Sequence, residues 1–297
     1  MFLFVYGSLC KNQRNHHFLK EAQLVSEQAW INGSLYSGKS YYPLLVKNED
    51  ELVYGELYNV DETKLKEIDK LEGYHPSDPS SLFTREKVKV SSEYFTNEAF
   101  TYFASPHVEK VKKIDHGDWK VEQQLKRDKL YYFAFGSCMD QERFIQGKVE
   151  HHFQNVAGSA VLKGYQLAFG HHLKDGARAD VRENRKEEVE GVLYHIEIDA
   201  VDYLYMREGV NKQHYRPTIV DVEYNDETIQ ALTFTVLEKK EDMAVPLHYA
   251  KEIYRGASKY LSSAYVDRIV QKFTIDNPVE GFTAFLSEDK EKKTVKN

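Results

Sequence analysis

The sequence has few cysteines, no long apolar run and no surplus of positive charge. Its 297 residues include two cysteines, Cys10 and Cys138, which make no disulfide framework and fit a reducing cytoplasm as the expected location. No apolar stretch approaches the ~20 residues that cross a bilayer, so we expect no membrane partner. The formal net charge of −7 lacks the surplus of Lys and Arg of a general nucleic-acid binder, and that class is excluded.

The sequence also lacks the spacing of a zinc site. Its 12 histidines include three adjacent pairs, at 16–17, 151–152 and 171–172. Adjacent residues on a strand point to opposite faces, and no zinc-type spacing of His and Cys accompanies these pairs. We therefore predict no metal site and interpret the pairs as solvated loop histidines.

The length and the aromatic content indicate two domains rich in strands. A chain of 297 residues is long enough for roughly two domains of ~150 residues each. The 21 Tyr and 16 Phe favour strands, since aromatic side chains suit half-buried pleated surfaces. The opening residues Met1–Val5 are typical of a buried first strand rather than of a signal peptide.

An internal repeat divides the chain into two similar halves. Three anchors occur in the same order in both halves, the pairs being Phe4–Ser8 with Phe133–Ser137, Gly55–Tyr58 with Gly191–Tyr194, and Glu72-Gly73 with Glu208-Gly209. In each half the glutamate lies 17 residues after the glycine that opens the second anchor. Two strands ending at Gly-Ser turns would explain the first anchor alone, but not three with nearly matching gaps. We predict domains over 1–127 and 128–285, a boundary in the polar stretch Lys110–Lys129, and a flexible charged tail over 286–297.

Local patterns agree with the repeat. Val53–Val60 and Val189–Ile198 alternate as strands do, and a helix is predicted after each, beginning at Asp61 and at Asp199. Each helix is expected to end at a glycine, the usual left-handed cap residue. Residues Pro246–Phe273 predict further helices that only the second half contains.

Glu72 and Glu208 each occupy the last turn of a predicted helix. A helix carboxyl end already bears partial negative charge, and burial there would raise the pKa of a glutamate toward neutrality. Such a residue suits general acid/base catalysis, although a solvated helix end is an equally good interpretation of either residue alone. The preceding Gly7-Ser8 and Gly136-Ser137 loops would present backbone amides that bind a carboxylate or a developing oxyanion.

At these residues the chain resembles the gamma-glutamyl cyclotransferase superfamily. The first half is similar to the AIG2-like, gamma-glutamylamine branch at Tyr6–Leu9, Tyr42–Leu45, Gly55–Tyr58, Leu71–Tyr74, Thr84-Arg85 and Gly117–Trp119. The second half is similar to the gamma-glutamyl cyclotransferase branch proper at Phe133–Ser137, Val189–Tyr194, Arg207–Val210, Tyr215-Arg216, Tyr249, Gly256-Ala257 and Tyr265. Together these matches span about residues 1–270.

The resemblance implies an α+β fold with two tandem small mixed β-barrels and flanking helices. It implies a cofactor-independent reaction in which the α-amine of a small gamma-glutamyl substrate attacks its own γ-carbonyl, releasing 5-oxoproline and an amine or amino acid. Glu72 or Glu208 would move the proton. The substrate would contact the two loops, at Tyr6, Gly7, Ser8 and Leu9 in the first half and at Phe135, Gly136, Ser137 and Cys138 in the second.

The second half departs from its branch at two positions. Phe135 replaces the usual tyrosine, and Cys138 stands where asparagine is usual. Both changes remove polar groups, so we expect the first half to be the better catalyst, with Glu72 carrying most of the activity. An insertion around Pro76–Pro79 is expected to remodel the mouth of the first site.

Several alternatives stay open. Cys138 could act as a nucleophile if a histidine lay beside it, which the sequence does not establish. The paired pockets could bind a small anion without turnover, or one domain could be active and the other a scaffold. The leaving group is open among glutathione, gamma-glutamyl amino acids, gamma-glutamylamines and an acylated antibiotic precursor. The oligomeric state is also open, a monomer being one option.

Overall fold

A computed structural model describes residues 1–39 and 42–295 and divides the chain into two compact units. The first unit is Met1–Gln123 and the second is Gln124–Asn297. The division lies inside the polar stretch Lys110–Lys129. Within the described residues, no helix is long and apolar enough to cross a membrane.

The first unit is a closed five-stranded barrel with a small flanking sheet and two helices. Its elements are β1 (Phe2–Val5), β2 (Gln23–Asn32), β3 (Ser34–Ser37), β4 (Pro43–Val46), β5 (Leu52–Asn59), α1 (Glu62–Leu71), β6 (Phe83–Ser91), β7 (Thr96–Ala104), β8 (Lys112–Lys113) and α2 (Trp119–Gln124). The barrel order is β1-β5-β2-β6-β7, and β4-β3-β8 form the small sheet. Strand β1 alternates between two cores: Phe4 packs inside the barrel, whereas Leu3 and Val5 pack toward α1.

The second unit repeats this barrel and adds helices. Its elements are β9 (Lys129–Ala134), α3 (Gln141–Gln146), β10 (Val156–Leu173), β11 (Gly176–Glu197), α4 (Ala200–Arg207), β12 (Tyr215–Tyr224), β13 (Glu227–Val236), α5 (Leu247–Tyr260), α6 (Ser263–Gln271) and α7 (Phe282–Val295). The closed order β10-β11-β9-β13-β12 matches the first barrel strand for strand. In both barrels the first strand pairs parallel with the last. The predicted fold, two tandem mixed barrels of the α+β class, is confirmed.

The repeated Gly-x-Leu-Tyr anchor has a steric cause in strand pairing. Val5 pairs with Glu56 in the first barrel, and Ala134 pairs with Val192 in the second. A Cβ on Gly55 would lie 2.1 Å from the Val5 carbonyl oxygen, and one on Gly191 would lie 2.6 Å from the Ala134 carbonyl oxygen. Glycine therefore lets the strand approach the segment that runs into the Gly-Ser loop.

Most predicted elements are found, with differences at their ends. The predicted helices, the strand at Val53–Val60 and the extra helices of the second half are confirmed. Asp61 caps α1 by accepting a hydrogen bond from the Lys64 amide, whereas Asp199 makes no such bond. The strand predicted at Val189–Ile198 is the second part of β11, which begins at Gly176. Exposed charged residues in the middle of β11 hide its continuity from the apolar pattern.

The segment predicted as a flexible tail is helical as far as Val295. Helix α7 covers it, and residues 296 and 297 lie outside the described part of the chain. Glu and Lys are good helix formers, so the segment forms a helix although the sequence offers little apolar surface there. Its flexibility stays a prediction.

Candidate active sites

In both units the first barrel strand leads into a short turn at the Gly-Ser loop. The Gly136 carbonyl accepts a hydrogen bond from the Met139 amide at 3.1 Å, and the Gly7 carbonyl accepts one from Cys10 at 3.0 Å. Residues Ser137–Met139 form one turn of 3-10 helix. The two loops therefore share one backbone fold, as the repeat predicts.

The two glutamates end equivalent helices. The amides of Glu72 and Glu208 close the last turns of α1 and α4 at 2.9 Å from the carbonyls of Ile68 and Leu204. The following glycines have φ of 63° and 64°, the left-handed conformation that was predicted. Each glutamate side chain lines the same cavity as the Gly-Ser loop of its own unit.

The cavity of the second unit has a volume of about 280 Å³. Its lining comprises Tyr132, Phe133, Phe135, Gly136, Ser137, Cys138, Arg143, His171, Leu173, Arg178, Ala179, Arg207, Glu208, His214, Tyr215, Thr233, Phe234 and Tyr249. The structure thus brings together all the candidate residues that the sequence predicts in this half. A cavity of this size holds a small metabolite.

Glu208 lies directly beside the loop. The Cys138 thiol donates to Glu208 Oε1 at 3.7 Å, and Arg207 Nε lies 3.6 Å from the same oxygen. Burial raises the pKa of the Glu208 carboxyl, while Arg207, the Cys138 hydrogen bond and Arg143 act in the opposite direction. Burial also raises the pKa of the Cys138 thiol, which keeps it protonated and disfavours the nucleophile alternative.

Two tyrosines hold Ala179 in the lining of the same cavity. Tyr249 on α5 accepts a hydrogen bond from the Ala179 amide at 3.1 Å, and the Tyr215 hydroxyl donates to the Ala179 carbonyl at 2.7 Å. Both backbone groups of this cavity residue are therefore satisfied by side chains that themselves line the cavity.

Sequence reasoning missed several basic residues of the cavity. Arg143, His171, Arg178 and His214 line it, and the rings of His171 and His214 lie 4.9 Å apart. The interpretation of His171 as a loop histidine is wrong, because it lies on β10 and faces the cavity. These residues come from elements far apart in sequence, so no local motif marks them. Among the described residues, no three His, Cys, Asp or Glu group as metal ligands.

The first unit has a much smaller cavity, of about 30 Å³. It is lined by Phe4, Val5, Tyr6, Gly7, Ser8, Leu9, Tyr42, Pro43, Glu72, Phe83 and Tyr102. Pro43 packs so closely on Gly7 that a Cβ on that glycine would lie 2.6 Å from the proline ring. This volume is on the order of one water molecule.

Glu72 lies in a cavity lining whose other described residues are uncharged, and the Tyr6 hydroxyl bonds to the barrel rather than facing a substrate. Burial raises the pKa of Glu72 to about 7, and no Lys, Arg or His is among the described residues that line its cavity. The Tyr6 hydroxyl donates to the Tyr102 carbonyl at 2.6 Å. The family tyrosine is thus engaged in a bond within the barrel, so its replacement by Phe135 removes an internal bond rather than a free hydroxyl.

Comparisons with known proteins agree with this geometry. The sequence profile described as "Gamma-glutamyl cyclotransferase, AIG2-like" matches residues 3–121, and that of the "AIG2-like family" matches 188–269. YkqA of Bacillus subtilis (strain 168), which carries the name of a gamma-glutamylcyclotransferase, is 42% identical over 90% of this chain and 95% of its own. Its crystal structure superposes with a TM-score of 0.83 and 38% identity, covering 92% of this chain and 97% of that one.

A shorter match concerns an enzyme of stated substrate. The gamma-L-glutamyl-butirosin B gamma-glutamyl cyclotransferase of Niallia circulans is 45% identical over 101 residues, which are 34% of this chain and 64% of that protein. The similarity to YkqA extends over both barrels and both profile matches. The chain therefore belongs to the gamma-glutamyl cyclotransferase, AIG2-like family.

Proposed function

We propose that this chain is a cofactor-independent gamma-glutamyl cyclotransferase that releases 5-oxoproline from a small gamma-glutamyl amide. The observation that carries the proposal is the position of Glu208, which is largely buried, with 18% of its side chain exposed, beside the Gly136–Cys138 loop in a cavity of about 280 Å³. The expected cytoplasmic location is part of the proposal and rests on two cysteines that are both free.

The proposed reaction needs one proton carrier and a bent substrate. Glu208 takes a proton from the substrate α-ammonium, and the free amine attacks the γ-carbonyl to close a five-membered ring. The C–N bond to the leaving group then breaks as Glu208 returns that proton to the leaving nitrogen. The ring nitrogen gives its second proton to the released amine, which leaves the lactam N–H of 5-oxoproline. Holding the reacting atoms together contributes several kcal/mol to the lowering of the barrier, roughly 7 or more in the best cases.

The difference in cavity volume indicates which unit carries the activity. The second cavity has a volume of about 280 Å³, whereas the first has about 30 Å³ and is narrowed by Pro43, which packs on the loop glycine Gly7. This difference favours the second unit, against the ranking expected from the sequence. We therefore propose that Glu208 carries the main activity and Glu72 a minor one.

The test is release of 5-oxoproline from a panel of gamma-glutamyl substrates. The panel contains gamma-glutamyl amino acids, gamma-glutamylamines, glutathione and gamma-L-glutamyl-butirosin B, the last because of the relative from Niallia circulans. We expect turnover of at least one substrate by the wild type and its loss in Glu72→Gln/Glu208→Gln. A wild type that binds these compounds without turnover would instead be a silent binding module.

A further inference from the structure

Arg207 joins the Gly-Ser loop of the second unit to the helix that carries Glu208. Its Nε donates to Cys138 Sγ at 3.0 Å and its Nη2 donates to Ser137 Oγ at 3.0 Å. The guanidinium is largely buried, with 17% of the side chain exposed. The donors of a guanidinium are fixed in one plane, so holding two acceptors costs less conformational freedom than it would with a flexible ammonium.

The first unit has an apolar pair at the same two positions. By the repeat, Leu71 corresponds to Arg207 and Leu9 corresponds to Cys138. Leu9 is buried in the core between the barrel and α1, and Leu71 packs against that core. The two units therefore differ by a paired exchange, Leu with Leu in one and Arg with Cys in the other.

The loop serine is also held differently in the two units. Ser8 Oγ accepts a hydrogen bond from Asn15 Nδ2 at 3.0 Å, a residue of the segment that follows the same loop. Ser137 Oγ accepts from Arg207, which adjoins Glu208 in the chain. Among the residues that the structure describes, one side chain connects the loop serine to the glutamate in the second unit alone.

From these contacts we infer that Arg207 is a positioning residue that, through Cys138 and Ser137, fixes the Glu208 carboxylate against the substrate loop. This inference rests on the proposed function, since it concerns the proton carrier of the same site. The paired exchange with Leu9 and Leu71 makes the device specific to the second unit.

If Arg207 acts on Glu208, its removal should change the pH dependence of the reaction. Groups facing this carboxylate are Arg207 on α4, Arg143 on α3, Cys138 in the loop, and Tyr132, Tyr215 and Tyr249 on β9, β12 and α5. Arg207 is the largest of the influences that lower the pKa of Glu208 against burial. Removing its charge raises that pKa, so the carboxylate form needed to accept the proton appears only at higher pH.

Cys138 provides a readout that does not depend on turnover. Iodoacetamide reacts with the thiolate, and mass spectrometry of peptides follows Cys138 and Cys10 separately. Cys10 is buried in the core of the first unit, so its alkylation reports unfolding. In Arg207→Met we expect Cys138 alkylation at a given pH to slow by about tenfold, because the guanidinium that lowers the pKa of this thiol is lost. Glu208→Gln should accelerate it, and Arg268→Met, at an exposed arginine on α6, should leave it unchanged.

Turnover then tests positioning, in a Glu72→Gln background that leaves only the second site. Arg207→Met should lower kcat by about tenfold or more with a small change in KM, and should move the acidic limb of kcat/KM to higher pH. Arg207→Lys keeps the charge and should restore the pH profile but only part of kcat. In a Glu208→Gln background, where the remaining turnover would come from the first unit, Arg207→Met should leave kcat and KM unchanged.

The outcomes separate this inference from the proposed function. Absence of all turnover in the Glu72→Gln background contradicts the proposed function in this unit, while the thiol rates still decide the role of Arg207. Unchanged Cys138 rates in folded Arg207→Met overturn the inference, as does an unchanged pH profile with intact turnover. If Arg207→Met does not fold, Cys138→Leu/Arg207→Leu recreates the apolar pair of the first unit, and its pH profile decides.

Discussion

Two partly buried glutamates at equivalent helix ends have different surroundings. Around Glu72 burial alone is the cause that raises the pKa to about 7, whereas Glu208 faces Arg207, Arg143 and the Cys138 thiol. The described lining of the smaller cavity thus includes Glu72 but no Lys, Arg or His. Part of the difference is a single substitution at equivalent positions, since Leu71 stands where the second unit has Arg207, whereas Arg143 lies on α3 of the second unit.

Replacing Glu72 should stabilise the first unit at high pH. A carboxyl whose pKa rises from 4.5 in the unfolded chain to about 7 in the fold adds stability below pH 4.5 that is lost as the pH rises through 7. Glu72→Gln should therefore raise the free energy of unfolding by about 2 kcal/mol at pH 8 and change it little at pH 4. Urea unfolding followed by tryptophan fluorescence measures this, because both tryptophans, Trp30 and Trp119, lie in the first unit. Equal effects at both pH values would contradict it.

Replacing Tyr6 by Phe tests whether its hydroxyl serves the fold or the substrate. The hydroxyl donates to the buried Tyr102 carbonyl at 2.6 Å, so Tyr6→Phe should cost about 1–2 kcal/mol of stability in the first unit. Because this hydroxyl is bonded within the barrel, its loss should remove no bond to the substrate. We therefore expect KM, measured in a Glu208→Gln background, to stay within about twofold, well below the tenfold change that a loss of about 1.4 kcal/mol in binding would cause. A large rise in KM with unchanged stability would instead assign the hydroxyl to substrate binding.

Within the elements, the strand-to-loop junction and the helix end carry the repeat. These are the features that the sequence predicts well: the strand into Gly-Ser, the helix that ends at Glu-Gly and the fixed gap between them. Each depends on a local rule of strand alternation, capping or left-handed glycine. The walls of the second cavity depend instead on the β10–β11 hairpin and α5, which bring His171, Arg178 and Tyr249 to the loop from distant parts of the chain. No local sequence pattern predicts that these residues line one cavity.

The glycine of the Gly-x-Leu-Tyr anchor should be more sensitive than the glycine after the helix. In Gly55→Ala the new Cβ would lie 2.1 Å from the Val5 carbonyl oxygen, so we expect a loss of about 3 kcal/mol or more in the first unit. Gly73→Ala is the matched control: its Cβ would meet no atom within 4 Å, and only the φ of 63° opposes it, at about 1–2 kcal/mol. Urea unfolding followed by tryptophan fluorescence ranks the two, and the reverse order would contradict the steric account.

At the scale of the whole molecule, the chain is two closed barrels of one strand order. The sequence predicts this duplication, because three anchors recur in order with nearly matching gaps. It does not predict the sizes of the two cavities. A Cβ on Gly7 would lie 2.6 Å from Pro43, whereas one on Gly136 would lie 3.2 Å from Ala179 and Tyr249, and the first cavity is about 30 Å³ against about 280 Å³ in the second.

Each half should fold without the other. Each barrel is closed and has its own core, and a cut between Arg127 and Asp128 leaves α2 intact in the first fragment and β9 intact in the second. We expect fragments 1–127 and 128–297 each to show a cooperative thermal transition and dispersed amide resonances. A fragment with retained secondary structure but no cooperative transition would show that its barrel depends on the other half.

The allocation of activity between the two glutamates is the central claim and is tested most directly by 5-oxoproline release from the two single variants. On the best substrate of the wild type, Glu208→Gln should lower kcat by about 10²–10⁴-fold, the usual contribution of a general acid/base. Glu72→Gln should keep most of the wild-type rate. Wild-type turnover by Glu208→Gln, with loss in Glu72→Gln, would contradict the account and restore the first half as the better catalyst.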